Sequence, residues 1–163
     1  MSDVGSEWAD FVRSRLNACT VDLVSVLRRL IGQTYPPQVV SIDFELFPDG
    51  FTGGAPVRAF FMDATNGEFF IEEDGRSRYP SDVDPNVLAI DEIYSVEEED
   101  AFSARPDAGP IADDLPAISA TAFIDWFAEC WRAAGGASFH LRSVIMVHDD
   151  PGSERMLSQG AAD

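Results

Sequence analysis

The sequence predicts an α+β fold in which an antiparallel sheet of four to five strands packs against two helices. Near both ends of the chain, apolar residues recur at steps of three and four, which is the period of a helix with one buried face. Between these segments the period changes to two, as in half-buried strands. Strands that follow one another without intervening helices pair antiparallel, and 163 residues is the length of one domain.

The first predicted element is a helix over about residues 7–31. Its apolar stripe begins at Trp8 and continues to Leu30 at helical spacing. Ser6 is the predicted N-cap, since its hydroxyl can accept a hydrogen bond from a free backbone N–H of the first turn. Gly32 follows the last periodic residue and is expected to end the helix.

Three or four strands are predicted next, joined by tight turns. Asn66-Gly67 and Asp74-Gly75 are residue pairs that two-residue hairpin turns prefer, because the central positions need a positive φ angle. The alternating segments cover about residues 38–46, 56–63, 68–72 and, as a short fourth strand, 76–79. The sequence therefore predicts an antiparallel meander.

Residues 80–116 are predicted to form an acidic, partly irregular insertion. A short helical turn is expected around residues 85–91, where an alternating strand pattern competes with it. The rest, including the acidic run from Glu97 to Asp100, is expected to be an exposed loop.

A second helix is predicted from Ser119 or Thr121 to about residue 134, and a last strand over about 139–148. Residues 149–163 carry little apolar content and are expected to be a flexible tail. The predicted domain is therefore residues 1–148, in the order α-β-β-β-(β)-insertion-α-β.

Composition excludes several classes of function. The 29 acidic residues outnumber the 11 basic ones, all of them arginine, so the net charge is −18. Binding to nucleic acid or to an anionic membrane surface needs a cationic face, so neither is expected. No secretory signal or membrane-spanning segment is visible. We expect Cys19 and Cys130 to be buried free thiols of a cytoplasmic protein, with a bridge between them as the alternative.

The sequence offers no motif for catalysis, cofactor binding or metal binding. It contains no Gly-x-Ser-x-Gly elbow, no glycine-rich phosphate loop and no zinc-ligand spacing. His140 and His148 lie on one predicted strand about 26 Å apart, at 3.3 Å per residue, so they cannot share a metal ion. We therefore expect no catalytic residue, no cofactor and no metal site.

The negative charge is concentrated in the middle of the chain. Residues 63–114 hold 16 acidic residues and 3 arginines, whereas the flanking parts are nearly balanced. A local excess of negative charge attracts a cationic partner and speeds its association. The candidate partner-binding residues are Asp91, Glu92, Tyr94, Glu97, Glu98, Glu99 and Asp100.

We therefore predict a small acidic, non-catalytic protein-binding module that docks a basic protein. An inhibitor or an immunity-type protein is the most concrete version, by analogy of fold alone, since small acidic proteins of this kind inhibit nucleases and toxins. The plainer interpretation is a solvated acidic loop without a partner.

Two further interpretations stay open. A small-molecule-binding domain or enzyme would have a pocket between sheet and helices, with His140, Arg142 and His148 as its candidate groups. A structural homodimer without a ligand would pair through an exposed face of the sheet, because a wet face does not normally carry so many large apolar groups. Those predicted on the outer face are Phe47, Phe60, Phe70 and Met62.

Overall fold

The structure, a computed structural model, describes residues 3–161 and confirms the mixed α+β class. Its helices are α1 (Val4–Asn17), α2 (Thr20–Gly32), the short α3 (Gly50–Gly53), α4 (Val96–Ser103) and α5 (Leu115–Ala133). Its strands are β1 (Ser41–Leu46), β2 (Val57–Met62), β3 (Ile71–Glu73), β4 (Arg76–Arg78), β5 (Arg142–Val147) and β6 (Asp150–Gln159).

The main sheet has the strand order β2-β1-β5-β6. The β1–β2 and β5–β6 pairs are antiparallel, but β1 and β5 run parallel, with Phe44 opposite Ile145. The prediction of an antiparallel sheet is therefore wrong for its central pair, β1 and β5. The reason is that α5 crosses the helical face before β5 returns beside β1, and a helical crossover allows parallel pairing.

The predicted N-terminal helix is two helices. The chain turns at Ala18 and Cys19, between α1 and α2, and both helices bury their apolar sides in the same core. Helical spacing therefore continues across the break. The N-cap is Asp3, whose side chain accepts a hydrogen bond of 2.8 Å from the backbone N–H of Ser6.

The predicted turn at Asp74-Gly75 joins β3 and β4, which form a separate two-stranded sheet. The predicted two-residue turn at Asn66-Gly67 is wrong: Asn66 has a positive φ angle but Gly67 does not, and the longer loop over residues 63–67 closes an isolated bridge between Met62 and Glu68.

The outer edge of β2 is covered by the chain that leads to and from the β3–β4 hairpin. Phe69 N–H donates to Phe61 O at 2.7 Å, and Ala59 N–H donates to Pro85 O at 2.9 Å. These bonds leave no long open edge on this side of the sheet.

The acidic insertion is more ordered than predicted. Residues 85–89 form turns, in which Leu88 and Ala89 have positive φ angles, rather than a helical turn. The expected loop contains α4 and a 3-10 helix over Gly109–Asp114, and α5 begins at Leu115, before either predicted start.

The predicted flexible tail is also wrong. Residues 150–159 form β6, which pairs with β5 over almost its whole length and has two register shifts. Residues 162 and 163 of that predicted tail lie outside the described residues. Most β6 side chains are exposed, because the strand lies at the sheet edge.

The helices cover one face of the main sheet only. The core between them contains Trp8, Trp126 and Trp131 together with the inward side chains of β1, β2 and β5, such as Phe44, Phe61 and Ile145. The opposite face, which we call the open sheet face, carries the alternate side chains of the strands. Those of β1, β2 and β5, with one of β6, are Ser41, Asp43, Glu45, Arg58, Phe60, Met62, Arg142, Val144, Met146 and Met156, and His148 follows β5 in the same alternation.

Candidate protein-docking surface

The most acidic part of the chain, residues 91–100, is a folded element that we call the acidic segment. Its first half is fixed by the backbone, since Ile93 N–H donates to Phe51 O at 2.8 Å. Its second half begins α4 with a capping box. Ser95 Oγ accepts from Glu98 N–H at 3.2 Å, and the Glu98 carboxylate accepts from Ser95 N–H at 2.9 Å.

Aromatic packing and an ion pair attach α4 to α1. The ring of Phe102 lies 4.8 Å from that of Trp8 and 5.6 Å from that of Phe11, between ring centroids. The Arg15 guanidinium forms an ion pair with Glu98. The acidic segment therefore has a fixed position on the outside of the helical layer.

Tyr94 is the internal anchor of the acidic segment. Only 2% of its surface is exposed, so it cannot present a ring to a partner, and the prediction for this residue is wrong. Its hydroxyl donates to Ser119 Oγ at 3.0 Å, and the Trp8 indole N–H donates to the same oxygen at 2.9 Å. Burial, and then the nearby charge of Glu99, raise the pKa of Tyr94 to about 12.

The other six predicted residues differ in whether their carboxylates are exposed and whether they already have a partner. Asp91, Glu92, Glu97 and Asp100 are exposed and form no ion pair within residues 3–161. Glu99 is half-buried beside Tyr94, and Glu98 is occupied by the capping box and by Arg15. Four free carboxylates on a fixed backbone can therefore meet a cationic partner.

The field of the acidic segment reaches the junction of α1 and α2. Burial raises the pKa of the Cys19 thiol, and the charges of Asp22 and Asp91 raise it further. The thiol at this junction is therefore near Asp91 of the acidic segment as well as Asp22 of α2.

The structure does not bring the alternative pocket residues together. Arg142 begins β5 and His148 follows its last residue, so the two are about 20 Å apart at 3.3 Å per residue. Arg142 lies 3.2 Å from Glu154, whereas the Nδ1 atom of His148 lies 2.6 Å from Glu45. His140 is exposed and precedes the strand.

The open sheet face combines apolar and charged side chains. Three of the four methionines of the chain, Met62, Met146 and Met156, lie on it beside the half-buried Phe60. Among them is Asp43, 15% exposed, whose carboxyl pKa is raised by burial although Ser41 and Arg142 act in the opposite direction. The acidic segment does not cover this face, because it packs against α1.

Within the described part of the chain, no three His, Cys, Asp or Glu side chains come close enough to hold a metal ion. Over the same residues, no helix has the length and apolar character needed to cross a membrane.

Comparison with known proteins gave no match to a protein-family model, to a curated protein or to a solved structure.

Sequence reasoning missed the helix that holds the acidic segment. The indication was present, because Ser95 followed three residues later by Glu98 is the sequence pattern of a capping box. The burial of Tyr94 had no comparable indication, since it depends on Trp8 and Ser119, which are distant in sequence.

Proposed function

We propose that this protein binds a basic protein through the acidic segment and acts by docking rather than by catalysis, as an inhibitor or immunity-type protein. The observation that supports the proposal is the group of four exposed carboxylates, Asp91, Glu92, Glu97 and Asp100, which lie on a folded and anchored backbone and have no ion-pair partner among residues 3–161.

Anchoring matters because a flexible acidic loop would lose conformational entropy on binding. The acidic segment is already ordered by its capping box and by the packing of Phe102, so little ordering remains for the encounter. Fixed charges at the surface also steer a cationic protein toward one orientation.

The test is reversal of the four free charges to arginine, in a variant carrying D91R, E92R, E97R and D100R. The partner is captured from native extract with the wild-type protein, identified by mass spectrometry and purified. Its dissociation constant is then measured at low and at physiological salt for both proteins.

A matched control carries four reversals on exposed acidic residues elsewhere, D49R, E72R, E73R and D150R, and has the same net charge. We expect the acidic-segment variant to bind at least 100-fold more weakly and the control within about fivefold of wild type, since rim charges act locally in salt. Equal losses in both variants would show that total charge, not the acidic segment, governs binding.

A homodimer through the open sheet face is a second candidate, favoured by one observation. Phe60 and Met62 of β2, Met146 of β5 and Met156 of β6 lie on the open sheet face, with the polar β1 side chains of Ser41, Asp43 and Glu45 between the two groups. Methionine-rich surfaces adapt well to a bound protein. We expect analytical ultracentrifugation to show a dimer that Met146→Glu disrupts. A monomer at high concentration would refute this candidate.

A further inference from the structure

A groove of about 630 Å³ lies on the outer side of the helical layer, between α1 and α5. The wall along α5 extends from Asp114, the residue before this helix, to Asp125, about 16 Å at 1.5 Å per residue, or three helical turns. The apolar lining consists of Ala9, Ile111, Ala117, Ile118 and Ala122. The three alanines are short enough for a third helix to approach closely, and the two isoleucines add apolar contact area.

Carboxylates stand at the rim of this groove. Asp10 on the α1 side and Asp114, immediately before α5, are exposed and have no ion-pair partner within residues 3–161. Asp125 and Arg13, which also line the groove, are paired with Arg155 and Glu129. The rim therefore has two negative charges free for a ligand.

The walls determine what kind of segment fits. Both walls are helices, whose central backbone groups are hydrogen-bonded internally and cannot pair with an added strand. A helical ligand satisfies its own backbone and needs only apolar contact along one side.

From this geometry we infer that the groove binds an amphipathic helix of about three turns, with an apolar side on the alanines and isoleucines and lysine or arginine at its flanks facing Asp10 and Asp114. The inference rests on the proposed function in one respect: it gives a cationic segment of the basic partner a defined place. The groove is joined to the acidic segment by the 3-10 helix Gly109–Asp114, which contacts both α4 and α5.

The test uses a synthetic 14-residue peptide of leucine, alanine and lysine, with leucines on one helical side and lysines beside them. A peptide of the same composition, permuted so that no apolar side forms, is the control for charge alone. Binding is measured by fluorescence anisotropy and mapped by amide chemical shifts of the labelled protein. We expect shifts at Ala9, Ile118 and Ala122, and at least tenfold weaker binding of the permuted peptide.

Two variants test the groove itself. Ala122→Phe places a large side chain in the lining of the groove and should weaken peptide binding at least tenfold, whereas Ala137→Phe, at an exposed position outside the groove, should not. The pair D10N and D114N should weaken binding about fivefold at low salt, in keeping with exposed ion pairs, and more than the control pair D49N and D84N.

The inference is overturned if both peptides bind equally, if Ala122→Phe binds like wild type, or if the shifts map to another surface. The proposed function fails separately, because it is measured with the captured partner and the four acidic-segment charges. Peptide binding that is lost when Glu97 and Asp100 are neutralised, but kept in the groove variants, would assign the peptide to the acidic segment and refute the groove.

Discussion

The hydroxyl of Ser119 in α5 is hydrogen-bonded to α1 and to the acidic segment. A double-mutant cycle measures the coupling free energy between Ser119 and Tyr94. Its oxygen accepts from the Trp8 indole of α1 and from the Tyr94 hydroxyl of the acidic segment, and it donates to the carbonyl of Leu115 at 3.0 Å. All three side chains are buried. The perturbations are Tyr94→Phe, Ser119→Ala and the two combined.

The expected loss in the free energy of unfolding depends on which hydrogen bonds remain after each substitution. Tyr94→Phe removes one neutral hydrogen bond while Ser119 keeps its other partners, so we expect a loss of about 1 kcal/mol. Ser119→Ala removes an acceptor shared by two donors, and Trp8 keeps the Leu115 carbonyl at 3.1 Å. We expect Ser119→Ala to lower the free energy of unfolding by about 2 kcal/mol, because the buried Tyr94 hydroxyl has then lost its hydrogen bond to Ser119.

The double variant should cost about 2 kcal/mol rather than 3, a coupling of about 1 kcal/mol between the two side chains. Urea unfolding followed by tryptophan fluorescence supplies the free energies. Tyr79→Phe is the control, since that half-buried hydroxyl only accepts a bond of 3.3 Å from Asn86 and should cost less than about 0.5 kcal/mol. Additive costs would refute the shared role of Ser119.

Three further predictions concern other sites. Gly136→Ala should lower the free energy of unfolding by about 3 kcal/mol or more, because an added Cβ would overlap the Trp131 indole. Burial raises the pKa of the Cys130 thiol to about 11, so iodoacetamide at pH 8 should modify Cys19 first and Cys130 only after unfolding. Because the pKa of Asp43 is raised in the folded protein, protonation of its carboxyl favours folding. This stabilisation is lost as the pH rises through the raised pKa. Asp43→Asn should therefore make the free energy of unfolding depend less on pH in that range.

Each of these has its own control or contrary result. Gly53→Ala, where an added Cβ meets nothing within 4 Å, should change the free energy of unfolding little, and an equal loss at both glycines would contradict the packing argument. Simultaneous alkylation of both thiols in the folded protein would contradict the burial of Cys130. An unchanged pH profile in the Asp43 variant would contradict the assignment to that carboxyl.

Local sequence patterns were sufficient to predict the strands with clear alternation and the turn with a preferred residue pair. In β1 the alternation of Phe44 with its polar neighbours Asp43 and Glu45 predicted the correct inward face, because one side of the strand is buried. The Asp74-Gly75 turn was likewise visible, since its conformation depends on its own two residues.

Other features depend on contacts between distant residues and left no periodic pattern. The break between α1 and α2 keeps the same buried stripe, so spacing alone does not reveal it. β6 has mostly exposed side chains and is held by backbone bonds to β5, which no side-chain pattern records. The groove exists only once Ala9 and Ala122, far apart in sequence, lie on neighbouring helices.

The most direct test of the central claim is the association rate constant with the captured partner, measured by stopped flow over a range of salt concentrations. The acidic-segment variant with four reversed charges should associate at least tenfold more slowly than wild type at low salt and lose the wild-type salt dependence. The control with four reversals elsewhere should keep a salt dependence close to that of wild type. Identical rates and salt slopes for the two variants would contradict docking through the acidic segment.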